Sequence, residues 1–168
     1  MSFLRNLIVG ASAMSLAACG FHMRGEAQLP AGMQHVYLQV SDPFGPLKRD
    51  LEAALTRSGA QLAAKPGDGV AEIDVTGVSL APVVRSVGAN AFVNEFSMVY
   101  HVELAIAGAD GKALLPKEVI EHRREFTFDQ TQAIGTSAEQ DEIKKEMERN
   151  MVQAILRKIE AAERKLAG

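Results

Sequence analysis

The chain has 168 residues, of which 47% are hydrophobic and 23% are charged, and these proportions are typical of one ordinary globular domain. Its 18 basic and 21 acidic side chains give a formal net charge of −3, whereas nucleic-acid-binding proteins normally have a clear basic excess. The single cysteine excludes an intramolecular disulfide and any metal or iron–sulfur site built from cysteines alone. A single domain that does not bind nucleic acid is therefore predicted.

The first 18 residues have the parts of a secretory signal peptide in the expected order. Arg5 supplies a positive start, residues 7–16 are apolar, and Ala17 and Ala18 are small enough for a signal-peptidase pocket. Ten apolar residues cannot cross the hydrocarbon core of a bilayer as a helix, which needs about 20. We therefore expect residues 1–18 to be cleaved off.

The segment Leu16-Ala17-Ala18-Cys19 resembles the lipobox of bacterial lipoproteins. There the cysteine thiol receives a diacylglyceryl group, the chain is cut before the cysteine, and the new amine is acylated. Cys19 is accordingly the predicted lipid attachment site, and Gly20 in place of Asp resembles the sorting pattern for the outer membrane. An ordinary signal peptide with an incidental cysteine is the alternative. Residues 19–32 are then a leader, and residues 33–168 form the predicted domain.

The first half of the domain shows a strand, a helix and a second strand. Alternating apolar residues at Val36, Leu38 and Val40 predict a half-buried strand. The segment 42–47 combines a capping aspartate with prolines suited to a first turn, and predicts an amphipathic helix that ends at Ser58-Gly59. The next strand changes its inward face near Gly77, as a β-bulge would cause.

The clearest pattern covers residues 92–106, where seven of the eight even-numbered residues are apolar. A strand of this length spans about 50 Å, so it is either bent or extends beyond its core. The segment 108–111 predicts a hairpin turn, and residues 119–129 predict the returning strand. Apolar residues at steps of three and four then predict a long helix, with its cap at Thr136-Ser137 and its last apolar residue at Leu166.

These elements predict an α+β fold in the order β-α-β-β-β-α, with a four-stranded sheet and two helices packed on one face. The apolar stripe of the long final helix is interpreted as core. A helix that binds a partner is the alternative.

No catalytic or metal site is predicted. The sequence has no G-x-S-x-G elbow, no P-loop and no G-x-G-x-x-G, so the chain is not expected to be an enzyme or to bind a nucleotide cofactor. No two of its four histidines have i,i+2 or i,i+4 spacing. Strand parity places His101 opposite Glu121 or Arg123, whereas His122 falls on the other face unless a one-residue bulge intervenes.

Several basic residues fall on or beside the predicted strands. Arg85, Arg123 and Arg124 belong to this group, and the adjacent pair must point to opposite faces. Guanidinium groups suit the phosphates of an anionic amphiphile, because they offer two parallel hydrogen bonds to such oxygens. Solvated surface charges are the other interpretation, and the sequence alone does not choose.

Three segments occur together with the lipobox, namely Cys19–Gly25, Asp42–Leu47 and Glu139–Met147. Together they resemble the LPS-assembly lipoprotein family LptE of Gram-negative bacteria, and the resemblance covers essentially the whole chain. It implies a lipoprotein in the periplasm-facing leaflet of the outer membrane that plugs the β-barrel translocon LptD, helps this barrel to assemble, and binds lipopolysaccharide without catalysis.

The resemblance also implies two helices on one side of a four-stranded sheet, and no cofactor other than the lipid on Cys19. Arg85, Arg123 and Arg124 are candidate lipopolysaccharide ligands by charge and strand position. The alternative function is a stand-alone lipoprotein that carries or chaperones small amphiphiles without a barrel partner.

Overall fold

The computed structural model describes residue 29 and residues 32–87, 93–127 and 133–164. The predicted signal peptide, Cys19 and most of the leader lie outside the described residues, as do the last four residues of the chain.

Within these residues the chain forms five strands and two helices. They are β1 (His35–Val40), α1 (Pro46–Arg57), β2 (Gln61–Leu62), β3 (Ala71–Val87), β4 (Val93–Ala107), β5 (Ala113–Thr127) and α2 (Ala133–Arg164). The sheet order is β2-β1-β3-β4-β5, in which β1 is parallel to both neighbours and β3, β4 and β5 form an antiparallel meander. The predicted α+β class and the main element order are confirmed.

The sheet has five strands, so the prediction of four is wrong. The additional strand, β2, is two residues long and forms one edge of the sheet beside β1. It is held by backbone hydrogen bonds from Gln61 N to Gln34 O (2.7 Å) and from Ala63 N to Val36 O (2.8 Å). Two exposed residues are too few to show an alternating pattern, which is why the sequence carries no signal for this strand.

Helix α1 begins at Pro46, and its N-cap is Gly45 rather than the predicted Asp42. Proline suits this first position because its missing N–H would have no partner inside the helix. The predicted end is confirmed. Gly59 has φ +93°, and hydrogen bonds from Gly59 N to Thr56 O and from Ala60 N to Leu55 O, both 3.0 Å, form a Schellman cap.

The predicted bulge in β3 is confirmed at Gly77. Thr76 pairs with Glu103 and Ser79 pairs with His101, so β3 has one more residue than β4 between these two pairs. Gly77 has φ +59°, a conformation that glycine adopts without the steric cost of a Cβ atom. The buried side chains of β3 are odd-numbered up to Val75, whereas the even-numbered positions face inward beyond the bulge.

The hairpin turn at residues 108–111 is also confirmed, with a hydrogen bond of 2.9 Å from Gly108 N to Lys112 O. Strand β5, however, begins at Ala113, six residues before the predicted Val119. Pro116 and two register shifts opposite Leu104–Ala107 interrupt the alternation there. Proline cannot donate to a strand ladder, but an edge strand such as β5 tolerates it.

Helix α2 begins at Ala133, before the predicted cap at Thr136-Ser137, because the helical backbone continues through Gly135. Its apolar stripe packs on β4 and β5 and beside α1, so the interpretation of this stripe as core is confirmed. The largest fully buried side chains come from both layers: Met33, Val36, Leu47, Leu51, Leu55, Ile73, Met98, Leu104, Ile106, Met151, Ile155 and Ile159.

Two ion pairs fasten α2 to the edge strand from the helix side. Lys158 pairs with Glu118 in the first half of β5, and Arg124 Nη1 lies 3.1 Å from Glu146 Oε1 in the second half. The far end of the sheet extends past the helices, because Val83 and Val84, which point to opposite faces, are 46% and 50% exposed. The long strands are therefore both bulged and longer than their core.

We expect Gly77→Ala to lower the free energy of unfolding by about 1–2 kcal/mol, the usual cost of a left-handed backbone at a residue with a Cβ. The new Cβ would also lie 3.1 Å from Glu103 Cγ. Urea unfolding followed by circular dichroism measures the change. Gly67→Ala is the matched control, because nothing lies within 4 Å of its Cβ position. Equal stability of both variants would contradict the assignment of strain to the bulge.

Candidate functional site

The face of β3, β4 and β5 opposite the helices is called the open face here. Its members on β3 beyond the bulge and on the other two strands are odd-numbered: Ser79, Ala81, Val83, Arg85, Ser97, Val99, His101, Glu103, Lys117, Val119, Glu121, Arg123 and Glu125. Thr76, which precedes the bulge, points the same way and contacts Glu103. Short apolar side chains therefore lie between charged ones across the whole surface.

The structure divides the three candidate arginines between two faces. Arg85 and Arg123 lie on the open face, whereas Arg124 points towards α2, as expected for a residue adjacent to Arg123 in a strand. The sequence therefore identified three strand residues that do not form one cluster.

Each candidate arginine has a carboxylate partner. Arg123 Nη2 donates to Glu121 Oε1 at 2.8 Å, and Arg85 Nη2 lies 3.4 Å from Glu125 Oε1. Arg124 is paired with Glu146 of α2. The side chains of these pairs remain between 41% and 70% exposed, so a competing anion in solution reaches them.

The Arg85–Glu125 pair connects the two strands that flank β4. Ser97 lies between them in the register, opposite Val83 on one side and Glu125 on the other. Its side chain is fully buried, and its hydroxyl has no hydrogen-bond partner among the described residues. The pair therefore lies on the same face as a buried polar group of the central strand, beside it in the register.

A second polar cluster on the open face surrounds the bulge and was missed as a group. Lys117 Nζ donates to Glu103 Oε2 at 2.9 Å and to Thr76 Oγ1 at 3.3 Å, and Thr76 Oγ1 donates to Glu103 Oε2 at 3.1 Å. The hydrogen bond from Lys117 is the main reason that the pKa of Glu103 is lowered, and the same contact raises the pKa of Lys117. The bulge at Gly77 was the one signal in the sequence for this cluster.

The predicted histidine geometry is confirmed. His101 lies opposite Glu121 on the open face, whereas His122 lies opposite Tyr100 on the helix side. The two imidazoles therefore cannot share a ligand across the hairpin. Among the described residues, no group of three or more His, Cys, Asp or Glu side chains is arranged to hold a metal ion.

The seam between α1 and α2 carries unfavourable electrostatics. Burial raises the pKa of Tyr100 to about 12, with smaller contributions from Glu148, Asp42 and Asp50. Burial also raises the pKa of Glu148, and the negative charge of Asp50 on α1 raises it further, against smaller opposing effects of Arg49, Arg149 and Lys144. The charges of these two carboxylates therefore disfavour each other at this seam.

Two clefts on the described part of the surface are open and partly polar. One, of about 380 Å³, lies between the helices and is lined by Asp50, Ala53, Arg57, Arg149, Val152 and Gln153. The other, of about 500 Å³, lies at the loop end of the sheet, between residues 67–72 and 107–111. Neither resembles the enclosed apolar cavity that usually buries an acyl chain.

These features define the class of the protein as a two-layer α+β domain in which the described residues leave one charged face of the sheet uncovered. A family model described as LptE, lipopolysaccharide-assembly, matches residues 33–159. The chain therefore belongs to the LptE family of lipopolysaccharide-assembly lipoproteins. In the part of the chain that the structure describes, no helix is long and apolar enough to span a bilayer.

Relatives and solved structures agree with this assignment. The chain is 30% identical over 158 residues to the LPS-assembly lipoprotein LptE of Pectobacterium atrosepticum, covering 93% of this chain and 84% of that protein. It is 30% identical over 154 residues to the LptE of Yersinia enterocolitica, covering 91% and 73%. The rare lipoprotein B of Shewanella oneidensis has a similar structure, with a TM-score of 0.69, 25% identity, and coverage of 80% and 99%.

We expect Glu148→Gln to raise the melting temperature at pH 7, because it removes a charge that burial and Asp50 disfavour. A carboxyl group whose pKa is raised by folding stabilises the folded state when protonated, and this contribution is lost as pH rises through the folded-state value. The advantage of the variant should therefore shrink as the pH falls towards 4.5, the ordinary glutamate value.

Thermal unfolding between these pH values measures the effect. The matched control is Glu52→Gln on the surface of α1, where the carboxylate faces Lys48 and away from this seam. A variant less stable than the parent at pH 7 would contradict the electrostatic assignment of Glu148.

Proposed function

We propose that this chain is an outer-membrane lipoprotein, attached through lipid on Cys19 and facing the periplasm, that plugs and helps to assemble the LptD β-barrel. In this role it also binds lipopolysaccharide during its insertion at the cell surface and catalyses no reaction. Membership of the LptE family supports the general role in lipopolysaccharide assembly. The lipobox at residues 16–19 supports the anchor, because several acyl chains on one residue attach a protein stably to a membrane.

The open face is the observation that carries the plug proposal. Strands β3, β4 and β5 are 17, 15 and 15 residues long, and their far end extends beyond the helices. Their uncovered face presents ion pairs and small apolar side chains, a mixture suited to a hydrated interface. The lumen of a large outer-membrane barrel is polar, so such a surface can lie within it without burying unpaired charge.

The alternative, a stand-alone carrier of amphiphiles, has less support. A carrier needs an enclosed apolar site for acyl chains. In the described residues core side chains pack between sheet and helices, and the two clefts described above are open. Acyl chains placed in either cleft would remain in contact with water.

For lipopolysaccharide phosphates, Arg85 and Arg123 are the better placed of the three candidates. Both lie on the open face, where a phosphate can displace Glu125 or Glu121 and accept two parallel hydrogen bonds from the guanidinium group. A phosphate at Arg124 would instead compete with Glu146 for the link between β5 and α2. We therefore assign the ligand contact to the first two and a mainly structural part to the third.

We expect the mature chain with Cys19→Ala, exported by an ordinary cleavable signal, to fold as a domain that still binds the barrel in detergent. The tether only raises the local concentration beside the membrane, whereas the contacts lie in the folded domain. Circular dichroism and stoichiometric co-purification with a large barrel measure the two parts of this expectation. If this variant is unfolded, the lipid is required for folding and the division into tether and domain is wrong. Parent protein that purifies without a barrel would favour the carrier.

Arg85→Ala and Arg123→Ala should each weaken lipopolysaccharide binding while leaving the melting temperature nearly unchanged, since exposed ion pairs contribute about 1 kcal/mol or less. Arg124→Ala should leave binding closer to that of the parent. Binding of purified lipopolysaccharide at fixed ionic strength measures the difference, with Arg157→Ala on the exposed face of α2 as a control for loss of one positive charge. Equal loss of binding in all four variants would point to net charge alone.

A further inference from the structure

Ser97 of β4 carries a hydroxyl group that the described fold does not use. The residue is 0% exposed, and its hydroxyl has no hydrogen-bond partner among the described residues. A buried hydroxyl without a partner costs stability, so folded proteins contain few of them. Alanine would occupy the same position without this cost. The hydroxyl therefore points to a role other than packing.

The side chains that surround Ser97 belong to the sheet itself. Ser97 lies on the open face, and its direct neighbours in the register are Val83 on β3 and Glu125 on β5. Both described helices pack on the other side of the sheet. The side chain of Glu125 is 70% exposed, so it can turn into water without breaking any core contact. Its movement would give a ligand on the open face access to the hydroxyl.

A second bulge in β3 directs Arg85 towards the same place. Val84 and Ser86 pair with consecutive residues of β4, so Arg85 is the extra residue between them. Bulges re-aim side chains and are frequent beside functional sites. Arg85 Nη2 lies 3.4 Å from Glu125 Oε1, and β4 lies between the two strands that carry this pair. The contact therefore crosses β4 where Ser97 is opposite Glu125, and it brings a guanidinium group beside the buried hydroxyl.

A phosphate group matches these two donors better than a carboxylate does. A phosphate monoester has three unsubstituted oxygens, of which two accept the parallel hydrogen bonds of a guanidinium group and one remains for a hydroxyl. A carboxylate has two oxygens, and Ser97 stays without a partner while Glu125 is paired with Arg85. Because this ion pair is exposed and screened by water, its replacement by a phosphate costs little.

We propose that Ser97 is a ligand-binding residue whose hydroxyl, once Glu125 is displaced, donates a hydrogen bond to a phosphate monoester held by the guanidinium group of Arg85. The third hydrogen bond makes the site prefer phosphate to carboxylate. The identity of the ligand as lipopolysaccharide rests on the proposed function, whereas the site itself requires the phosphate group alone.

Ser97→Ala separates this role from a structural one. In the full mature chain in detergent, the variant should bind lipopolysaccharide about tenfold more weakly, because a hydrogen bond to a charged group is lost. Its melting temperature should be equal to or higher than that of the parent, since no hydrogen bond within the fold is lost. Binding of dephosphorylated lipopolysaccharide should be the same for variant and parent.

Ser79→Ala is the matched control, because Ser79 lies exposed on the same face, opposite His101. Ser97→Thr keeps a hydroxyl and should retain most of the binding. A melting temperature several degrees below that of the parent would make the hydroxyl structural and overturn the proposal. So would an equal effect of Ser97→Ala on the phosphorylated and dephosphorylated ligands.

A double-mutant cycle tests whether the two donors hold the same group. Arg85→Ala with Ser97→Ala should bind lipopolysaccharide about as weakly as Arg85→Ala alone, because the phosphate is no longer held beside the hydroxyl. Strictly additive losses would contradict a shared ligand group and overturn the proposal.

Inorganic phosphate distinguishes failure of this site from failure of the proposed function. At constant ionic strength, a phosphate titration should shift the nuclear magnetic resonance signals of the Ser97 amide and the Arg85 side chain in the parent, and should do so more weakly in Ser97→Ala. If the parent binds phosphate in this way but no lipopolysaccharide, the site is supported and the proposed ligand is wrong. If lipopolysaccharide binds parent and Ser97→Ala equally, or phosphate shifts neither signal, the site is wrong and the proposed function stands.

Discussion

The packing of α2 along the even-numbered face of β4 and β5 is the contact on which the rest of the structure depends. Glu146 and Lys158 are twelve positions apart in the helix, which advances about 18 Å over that distance, while Glu118 and Arg124 are six positions apart in the strand, which advances about 20 Å. Because these distances nearly match, both ion pairs form while Met151 and Ile155 remain fully buried between them. One helix therefore covers one face of the meander, and no other described element covers the opposite face.

Much of this arrangement was predictable because it depends on periodicity. The even positions of β4 and the three- and four-residue steps of α2 are long, regular patterns. In β3, the change of the apolar residues from odd to even positions at Gly77 is equally visible in the sequence. The early start of β5 could not be predicted, because the register shifts around Pro116 and Lys117 break the alternation of inward and outward side chains there. The strand β2 was hidden because its pairing depends on the turn that precedes it.

The candidate site was less predictable than the fold. Residue type and strand position identified Arg85, Arg123 and Arg124. Their partners, however, depend on how the strands and the helix lie against each other, which the sequence alone does not give. The partner of Arg124 is 22 residues away on α2, and that of Arg85 lies two strands across the sheet. Periodicity predicts which face a side chain occupies, whereas the height at which a helix crosses a strand determines which charges meet.

The glycine bulge in β3 has a consequence for how this domain can change over evolution. On one side of residue 77 substitutions are limited by packing at odd positions, and on the other side at even positions. If the same number of residues paired without the bulge, the register beyond it would shift by one and the projecting end of the strand would turn its opposite face to the helices. Apolar side chains that pack beneath the helices would then meet water, so a residue that tolerates a left-handed backbone at position 77 keeps the two halves of β3 on their proper faces.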